Sequence, residues 1–365
     1  MNIVRHLQPR QLVARLAALL FSIVIALTCT HWATADSGWS RAAPAKSPLA
    51  SLVEATAWIN SPPLDENALR GKVVLVDFWT YSCVNCLRTL PHVRAWAQKY
   101  AAHGLVVIGA HAPEFDFERS VRNVQRATKD LGVAFPVAVD GRNALWKAFG
   151  NQAWPTFYFV DGKGRVRYRQ IGEGSYDQAE RMIQQLLREA GRDKVPSDLV
   201  SPQGQGTQAA AGAHPPASSE AYLGVGRAEG FLAASGTLRA GPPMDYAPAR
   251  QLDLNQWTLA GVWKTEPQHI ELAKAGGRIV YRFRARDLHL VLGPGNDDRP
   301  VRFKVRIDGR APGEDHGSDT DPEGVGRIEA HRLYQLVRQN AGARERLFEI
   351  EFLEPGVRAY AFTFG

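Results

Sequence analysis

Two cysteines, Cys83 and Cys86, stand three positions apart and are the side chains of this sequence best placed to do redox chemistry. They follow a mostly apolar run, residues 73–79, which predicts a buried strand, and they open a stretch with helical periodicity. A short turn would place Cys83 at the N-terminus of this helix, where free backbone N–H groups favour a thiolate. A thiolate attacks disulfides, and Cys86, one turn further on, can then release the mixed disulfide.

A structural role for this pair has less support than a redox role. A ring closed across three positions would restrain very little of the chain, so a structural disulfide here would stabilise little. Zinc would need two further ligands, and the candidates, His92, His103 and His111, form no second paired-ligand motif. We therefore expect a redox-active pair, with no metal ion and no cofactor.

The N-terminal residues 1–35 have the pattern of an export signal. Three arginines supply positive charge, residues 16–29 are mostly apolar, and Ala33-Thr34-Ala35 is a small-x-small cleavage site. This apolar run is shorter than the about 20 residues that a membrane-spanning helix needs. We predict a cleaved signal peptide and a periplasmic or otherwise exported protein, with an uncleaved N-terminal membrane anchor as the alternative. Residues 36–48, which are small and polar, are predicted to be mobile.

Removal of the signal would change the charge and the cysteine content. The formal net charge would fall from +7 to about +4, because residues 1–35 contain three arginines and no acids. The basic composition therefore gives no support for nucleic-acid binding. Cys29 would also be removed, which would leave Cys83 and Cys86 alone, as expected of a redox couple in an oxidising compartment.

The cysteine pair belongs to a longer pattern of residues that agree in order and spacing. The pattern is an acid in the apolar strand, the pair at the helix start, a later proline and a Trp-Pro-Thr before a second apolar run: Asp77-Phe78-Trp79, Cys83-Val84-Asn85-Cys86, Pro91 and Trp154-Pro155-Thr156. It resembles the thioredoxin superfamily and is most similar to the exported TlpA-like and DipZ-type branch. The resemblance covers about residues 49–193.

The resemblance implies how the pair would work. Cys83 would be the attacking thiolate and Cys86 the resolving thiol, while Asp77 would lie beneath them and accept the proton of Cys86. Burial would raise the pKa of Asp77 towards neutrality, as such a proton acceptor requires. The alternative for Asp77 is a carboxylate at the surface end of the strand.

Four further residues are implied at the substrate side of the site. Pro155 would form a cis peptide facing the cysteines, and Trp154, larger than the residue usual at its position, would contact the substrate. Trp79 and Glu114 are also candidate substrate contacts. The alternative for Glu114 is that it opens the following helix, where acids are favoured.

The elements around this pattern have the order of a thioredoxin fold. Periodicity predicts strand, helix, strand, helix, strand, short helix, hairpin and helix over residues 72–79, 83–104, 105–110, 117–131, 135–139, 144–149, 156–171 and 176–190. We predict an α/β thioredoxin-like domain over residues 49–193, in which residues 115–140 match the insertion of the TlpA-like branch.

The second half of the chain has a different pattern. Residues 194–219 are rich in Pro, Gly, Gln, Ala and Ser, which is typical of a flexible linker. Beyond them apolar residues alternate with polar ones, as in residues 278–285, 301–307 and 348–352. This period of two favours an all-β antiparallel sandwich over residues 220–365.

The sandwich resembles the C-terminal module of DipZ-type proteins, a carbohydrate-binding-like jelly roll. This resemblance implies a docking site for a partner or a glycan. Trp257, Trp263 and Tyr281 could stack on a sugar, although aromatic residues on strands more often pack in the core. The resemblance also implies protein thiols and disulfides as substrates and a separate membrane protein as electron donor.

The predicted function is that of an exported thiol–disulfide oxidoreductase acting in the reductive or exchange direction. A thiol peroxidase of the redoxin type is an alternative, because Thr80-x-x-Cys83 is similar to the peroxiredoxin motif. That motif has a proline where Val76 stands, which weighs against it. An alternative of another class is a redox-inert carbohydrate- or protein-binding protein, which would have no use for the cysteine pair.

Overall fold

The computed structural model describes residues 39–41, 47–295 and 299–365. The predicted signal peptide, residues 1–35, lies outside the described residues, as does most of the segment 36–48. Of the helices that the structure describes, none combines the length and the apolar character needed to cross a bilayer.

A mixed sheet forms the centre of the first half. Its strands are β1 (Trp39–Arg41), β2 (Ala57–Ile59), β3 (Val73–Trp79), β4 (Leu105–His111), β5 (Val137–Val139), β6 (Thr156–Val160) and β7 (Val166–Ile171). From β7 the strand order is β7-β6-β3-β4-β5-β2. The central strand β3 is buried at every position and runs parallel to β4 and antiparallel to β6. A strand buried on both faces explains the mostly apolar sequence of β3.

The helices of this half confirm the predicted thioredoxin-like order. They are the α-helices α1 (Val84–Tyr100), α2 (Val121–Asp130), α3 (Ala144–Ala148) and α4 (Tyr176–Glu189), and the 3-10 helices Pro48–Glu54, Ala101–His103 and Asp116–Arg119. The helix predicted over residues 117–131 is divided in two. Ser120 has an extended backbone and its hydroxyl accepts a hydrogen bond from the N–H of Asn123, so it caps α2 and separates it from the preceding 3-10 helix.

The second half is an antiparallel β domain, as predicted. Its strands are β8 (Ala221–Tyr222), β9 (Met244–Tyr246), β10 (Trp257–Thr265), β11 (Ile270–Leu272), β12 (Arg278–Ala285), β13 (Asp287–Gly293), β14 (Val301–Ile307), β15 (Val325–Ile328), β16 (Arg332–Arg338), β17 (Arg344–Phe352) and β18 (Arg358–Phe364). Two 3-10 helices, Gly206–Gln208 and Gly313–Asp315, complete the elements. One sheet has the order β15-β14-β17-β12-β10, and the other continues as β10-β11-β18-β13-β16, with β8 beside β18 and β9 beside β10.

Strand β10 belongs to both sheets of the β domain. Its first part, up to Ala260, pairs with β12, and its later part pairs with β9 and β11. Gly261 stands at the change of partner with φ of +93°, a backbone conformation that glycine adopts without strain. The glycine therefore lets one strand join the two sheets.

The aromatic residues considered as sugar contacts lie in the core of the β domain. Trp257, Trp263 and Tyr281 are at most 1% exposed and lie in one apolar cluster with inward residues of both sheets. They therefore pack in the interior and have no face to offer a sugar.

The loop after β4 packs against the β domain through aromatic rings. The rings of Phe115 and Phe117 lie 5.2 and 4.7 Å from that of Tyr360 in β18, measured between centroids. Phe117 also lies 4.9 Å from His331, at the start of β16. Phe115 is only 2% exposed, so this contact is part of the interior of the molecule.

The contact with Phe115 can be tested by stability. We expect Phe115→Ala to lower the free energy of unfolding by about 3–5 kcal/mol, because it removes a buried ring that packs on β18. Urea denaturation of the reduced protein measures this change. Val53→Ala, at a side chain that is 68% exposed, is the control and should change stability by less than about 0.5 kcal/mol. A Phe115→Ala protein as stable as the control would contradict a packed contact.

Candidate active site

Cys83 lies at the junction between β3 and α1 and is the N-cap of the helix. Its backbone is extended, with φ of −85° and ψ of 115°, and its sulfur accepts a hydrogen bond from the N–H of Cys86 at 3.3 Å. Both cysteines are free thiols; Cys83 is partly exposed and Cys86 is fully buried. A helix N-terminus favours a negative charge on the sulfur that it caps. The accessible sulfur is therefore the one suited to attack a substrate.

The buried thiol of Cys86 needs help to ionise. Burial raises its pKa well above the usual range, and the hydrogen bond and charge of Cys83 and the charge of Asp77 raise it further. A thiol in this environment stays protonated until a nearby group accepts its proton. The two sulfurs of the pair are thus chemically unequal.

Asp77, in β3, is the buried acid whose charge acts on Cys86. It is completely buried, and within the described residues neither carboxyl oxygen has a hydrogen-bond partner. Burial raises the pKa of Asp77 to about 8. A carboxyl group with this pKa can bind and release a proton close to neutral pH, which an exposed aspartate cannot.

Pro155 lies beside the end of β3. The Trp154–Pro155 peptide bond is cis, and the residue after it, Thr156, pairs with Phe78 in the sheet register. The indole N–H of Trp154 donates to the carbonyl of Ala112 at 3.1 Å. The register therefore places Pro155 next to Trp79, at the end of β3 that leads to the cysteine pair.

Two expected substrate contacts are placed differently from the prediction. Trp79 is 0% exposed, so it supports the site from below and has no surface that a substrate could reach. Glu114 is engaged by the β domain, because Tyr222 donates to its Oε1 at 2.6 Å and Arg227 lies 3.3 Å from the same atom. The sequence could not show that Trp79 is buried. Alternation of polar and apolar residues identifies the buried side chains only when one face of a strand is exposed, and β3 is buried on both faces.

Sequence reasoning missed Glu118, the buried carboxylate that holds the turn before Cys83. The hydroxyls of Thr80 and Ser82 donate to its Oε1, and the backbone N–H groups of Glu114 and Phe115 donate to its Oε2. Burial raises the pKa of Glu118, and these hydrogen bonds lower it in part. A continuous helix over residues 117–131 would turn Glu118 away from its apolar face, so the sequence pattern did not indicate this residue. Glu118 faces inward because residues 116–119 form a separate 3-10 helix.

The turn before Cys83 also contacts the β domain indirectly. The ring of Tyr81 stacks on His111 at 5.4 Å and lies 6.1 Å from Phe117, which touches Tyr360. Burial lowers the pKa of His111 to about 3, so this imidazole is neutral at physiological pH. Across the part of the chain that the structure describes, no three His, Cys, Asp or Glu side chains are grouped as a metal site requires.

Fold and site together define a thioredoxin-like structure with a pair of cysteines at the start of α1. The family model described as Redoxin matches residues 45–186. The model described as Thioredoxin like C-terminal domain matches residues 218–365. These two matches correspond to the α/β and the β part of the structure.

Named relatives and a solved structure are similar to parts of this chain. Protein DipZ of Mycobacterium bovis is 36% identical over 242 residues, which are 65% of this chain and 34% of DipZ. Thiol-disulfide oxidoreductase YkuV of Bacillus subtilis is 27% identical over 144 residues, which are 40% of this chain and 97% of YkuV. A solved thiol-disulfide isomerase from Corynebacterium glutamicum is 25% identical and covers 36% of this chain and 92% of its own, with a TM-score of 0.34.

In both halves the chain is therefore similar to proteins of the thioredoxin type, among them DipZ and a thiol-disulfide oxidoreductase. It spans about a third of the length of the DipZ proteins that it matches.

The burial of Asp77 predicts how the stability of the folded protein depends on pH. The carboxyl group stays protonated in the folded protein up to pH about 8, whereas it ionises near 3.8 in the unfolded chain. The unfolded chain therefore binds fewer protons between these values, and folding becomes less favourable as pH rises through this window. From pH 5 to pH 8 we expect the reduced wild type to lose about 3 kcal/mol more stability than Asp77→Asn.

Urea denaturation of both proteins at the two pH values measures this difference. Asp130→Asn, at an exposed residue of α2, is the matched control and should follow the wild type. Parallel pH dependences for wild type and Asp77→Asn would contradict a protonated, buried Asp77.

Proposed function

We propose that Cys83 and Cys86 are the redox pair with which this oxidoreductase exchanges disulfides with exported proteins. The observation that carries the proposal is the arrangement of three groups. A partly exposed thiol caps a helix, and a buried thiol lies one turn behind it. A buried acid, which has no hydrogen-bond partner in the described parts of the chain, is close enough to influence the second thiol.

The first step breaks the disulfide of the substrate. The Cys83 thiolate forms a bond with one substrate sulfur, and the other substrate sulfur leaves as a thiolate. Asp77 then accepts the proton of Cys86, and the Cys86 thiolate attacks the sulfur of Cys83. This attack releases the second substrate thiolate. The substrate disulfide has gained two electrons, and Cys83 and Cys86 are joined in a disulfide.

We further propose the reductive or exchange direction for the cell, with a separate membrane protein as the source of electrons. The basis is the similarity to DipZ and to thiol-disulfide oxidoreductases such as YkuV. The export pattern of residues 1–35 supports a periplasmic or otherwise exported location. We propose domain limits of 49–193 and 220–365, joined by residues 194–219.

The β domain, in this proposal, helps to choose protein partners. Its Tyr360 and His331 contact Phe117, which in turn contacts the turn before Cys83. The aromatic residues considered for sugar stacking are buried. A protein partner that meets the β domain and the cysteine pair together is therefore better supported than a glycan.

The roles of Cys83 and Cys86 can be tested by trapping the mixed disulfide with a substrate. With a disulfide-bonded protein such as insulin as substrate, Cys86→Ser should accumulate a mixed disulfide through Cys83, because no resolving thiol remains. Cys83→Ser should form none, and the wild type should form only a transient one. Mass spectrometry under non-reducing conditions measures these adducts.

Absence of an adduct in Cys86→Ser, or an equal adduct in Cys83→Ser, would contradict the assignment. Peroxide turnover at Cys83 faster than disulfide exchange would favour the thiol peroxidase instead.

A further inference from the structure

A cavity of about 660 Å³ adjoins the cysteine pair along helix α1. The helix presents Asn85, Arg88 and His92 to it, and the segment 201–216 together with Glu173 supplies other parts of its wall. Asn85 stands between the two cysteines in the sequence, so the cavity extends to the first turn of α1. Its volume is in the range of sites that bind small molecules or short peptide segments.

Arg88 is an arginine buried in the wall of this cavity. Its side chain is 4% exposed, and its Nη1 lies 3.0 Å from Glu173 Oε1. Its Nη2 lies 4.0 Å from Asp287 Oδ2 and, among the residues that the structure describes, donates no hydrogen bond. A buried guanidinium nitrogen without a hydrogen bond has lost its hydration without full compensation. It is therefore a donor that a ligand could satisfy.

Asp287 does not satisfy Arg88, because the two side chains are 4.0 Å apart and make no hydrogen bond within the part of the chain that the structure describes. Arg286 Nη2 lies 2.6 Å and Arg338 Nε 3.1 Å from its carboxylate oxygens. Three guanidinium groups thus cluster around the carboxylates of Asp287 and Glu173.

The same guanidinium groups affect the pKa of a buried neighbour. The pKa of His289 is lowered to about 3, first by burial and then by the charges of Arg88, Arg338 and Arg286. The environment behind the cavity is therefore positive, and an anion entering it would be attracted.

The far wall of the cavity is held in place by hydrogen bonds. Arg286 Nη2 donates to the carbonyl of Ala210 at 2.8 Å, and Arg94 Nη2 donates to Gln208 Oε1 at 2.8 Å. The space beside Arg88 is therefore formed before any substrate arrives.

We propose that this cavity is a carboxylate-binding subsite, in which Arg88 receives an acidic side chain of the peptide segment that exchanges its disulfide at Cys83. The inference rests on the proposed function of the cysteine pair. Arg88 is five residues from Cys83, about 7.5 Å along a helix axis. An extended peptide covers this distance in about two residues, so the preferred substrate carries Glu or Asp about two positions from its reacting cysteine.

The test compares two disulfide-bonded peptides that differ only by Glu or Gln two residues from the cysteine. For the wild type we expect kcat/KM to be roughly tenfold higher with the Glu peptide, mainly through KM, as one charge-assisted hydrogen bond gives. Arg88→Gln should reduce this ratio to about one, and Arg88→Lys should retain part of it. Arg126→Gln, at an exposed arginine paired with Asp130 in α2, is the matched control and should keep the full ratio.

A second pair of variants leaves Arg88 in place, because its replacement could disturb folding. Ala211 is an exposed residue of the cavity wall. Ala211→Glu would bring a competing carboxylate to the cavity and should bring the ratio towards one, whereas Ala211→Gln should change the ratio much less. Equal values of kcat/KM for the two peptides with the wild type would overturn the subsite and leave the redox function intact.

A binding measurement separates the subsite from the redox chemistry. Calorimetry with the Cys83→Ser protein and the reduced peptides should show tighter binding of the Glu peptide, whether or not disulfide exchange occurs. If no peptide is turned over but the Glu peptide still binds more tightly, the subsite stands and the proposed function falls. Oxidised glutathione, a small carboxylate-bearing disulfide, is the comparison substrate. A dependence on Arg88 seen with glutathione alone would overturn the assignment to a peptide.

Discussion

The burial of β3 on both faces is the constraint on which the site depends. This strand carries Asp77 into the interior, where its carboxyl group has no hydrogen-bond partner among the described residues and keeps its proton to about pH 8. Burial of an acid in this way costs free energy. An acid would therefore be disfavoured at this position if β3 served packing alone. The same strand ends at the turn that leads to Cys83, so one element fixes both the proton acceptor and the start of the helix.

The two sulfurs differ because of where the helix begins. Cys83 is the residue just outside the first turn, and Cys86 is already inside the helix and buried under it. This difference supports our proposal that Cys83 attacks the substrate and Cys86 resolves the mixed disulfide. The β domain adds to the arrangement, since it contacts Phe117 on the loop after β4 and supplies Asp287 behind Arg88. Both halves of the chain therefore contribute side chains near the cysteine pair.

Much of this site could be predicted from the sequence, because its signals are local. An apolar run, a cysteine pair at a helix start and a late proline are sufficient to predict β3, α1 and the strand after Pro155. Glu118 and Arg88 could not be found in the same way, since their importance depends on long-range packing. Trp79 was expected to meet the substrate and is buried, for the same reason.

The most direct test of the account is the equilibrium of the Cys83–Cys86 pair with glutathione redox buffers. The account predicts that the pair equilibrates as a two-electron couple, at a potential nearer the about −270 mV of thioredoxin than the about −120 mV of strong oxidants. A potential near −120 mV would contradict the reductive direction. A pair that forms no internal disulfide under any buffer would contradict the redox function itself.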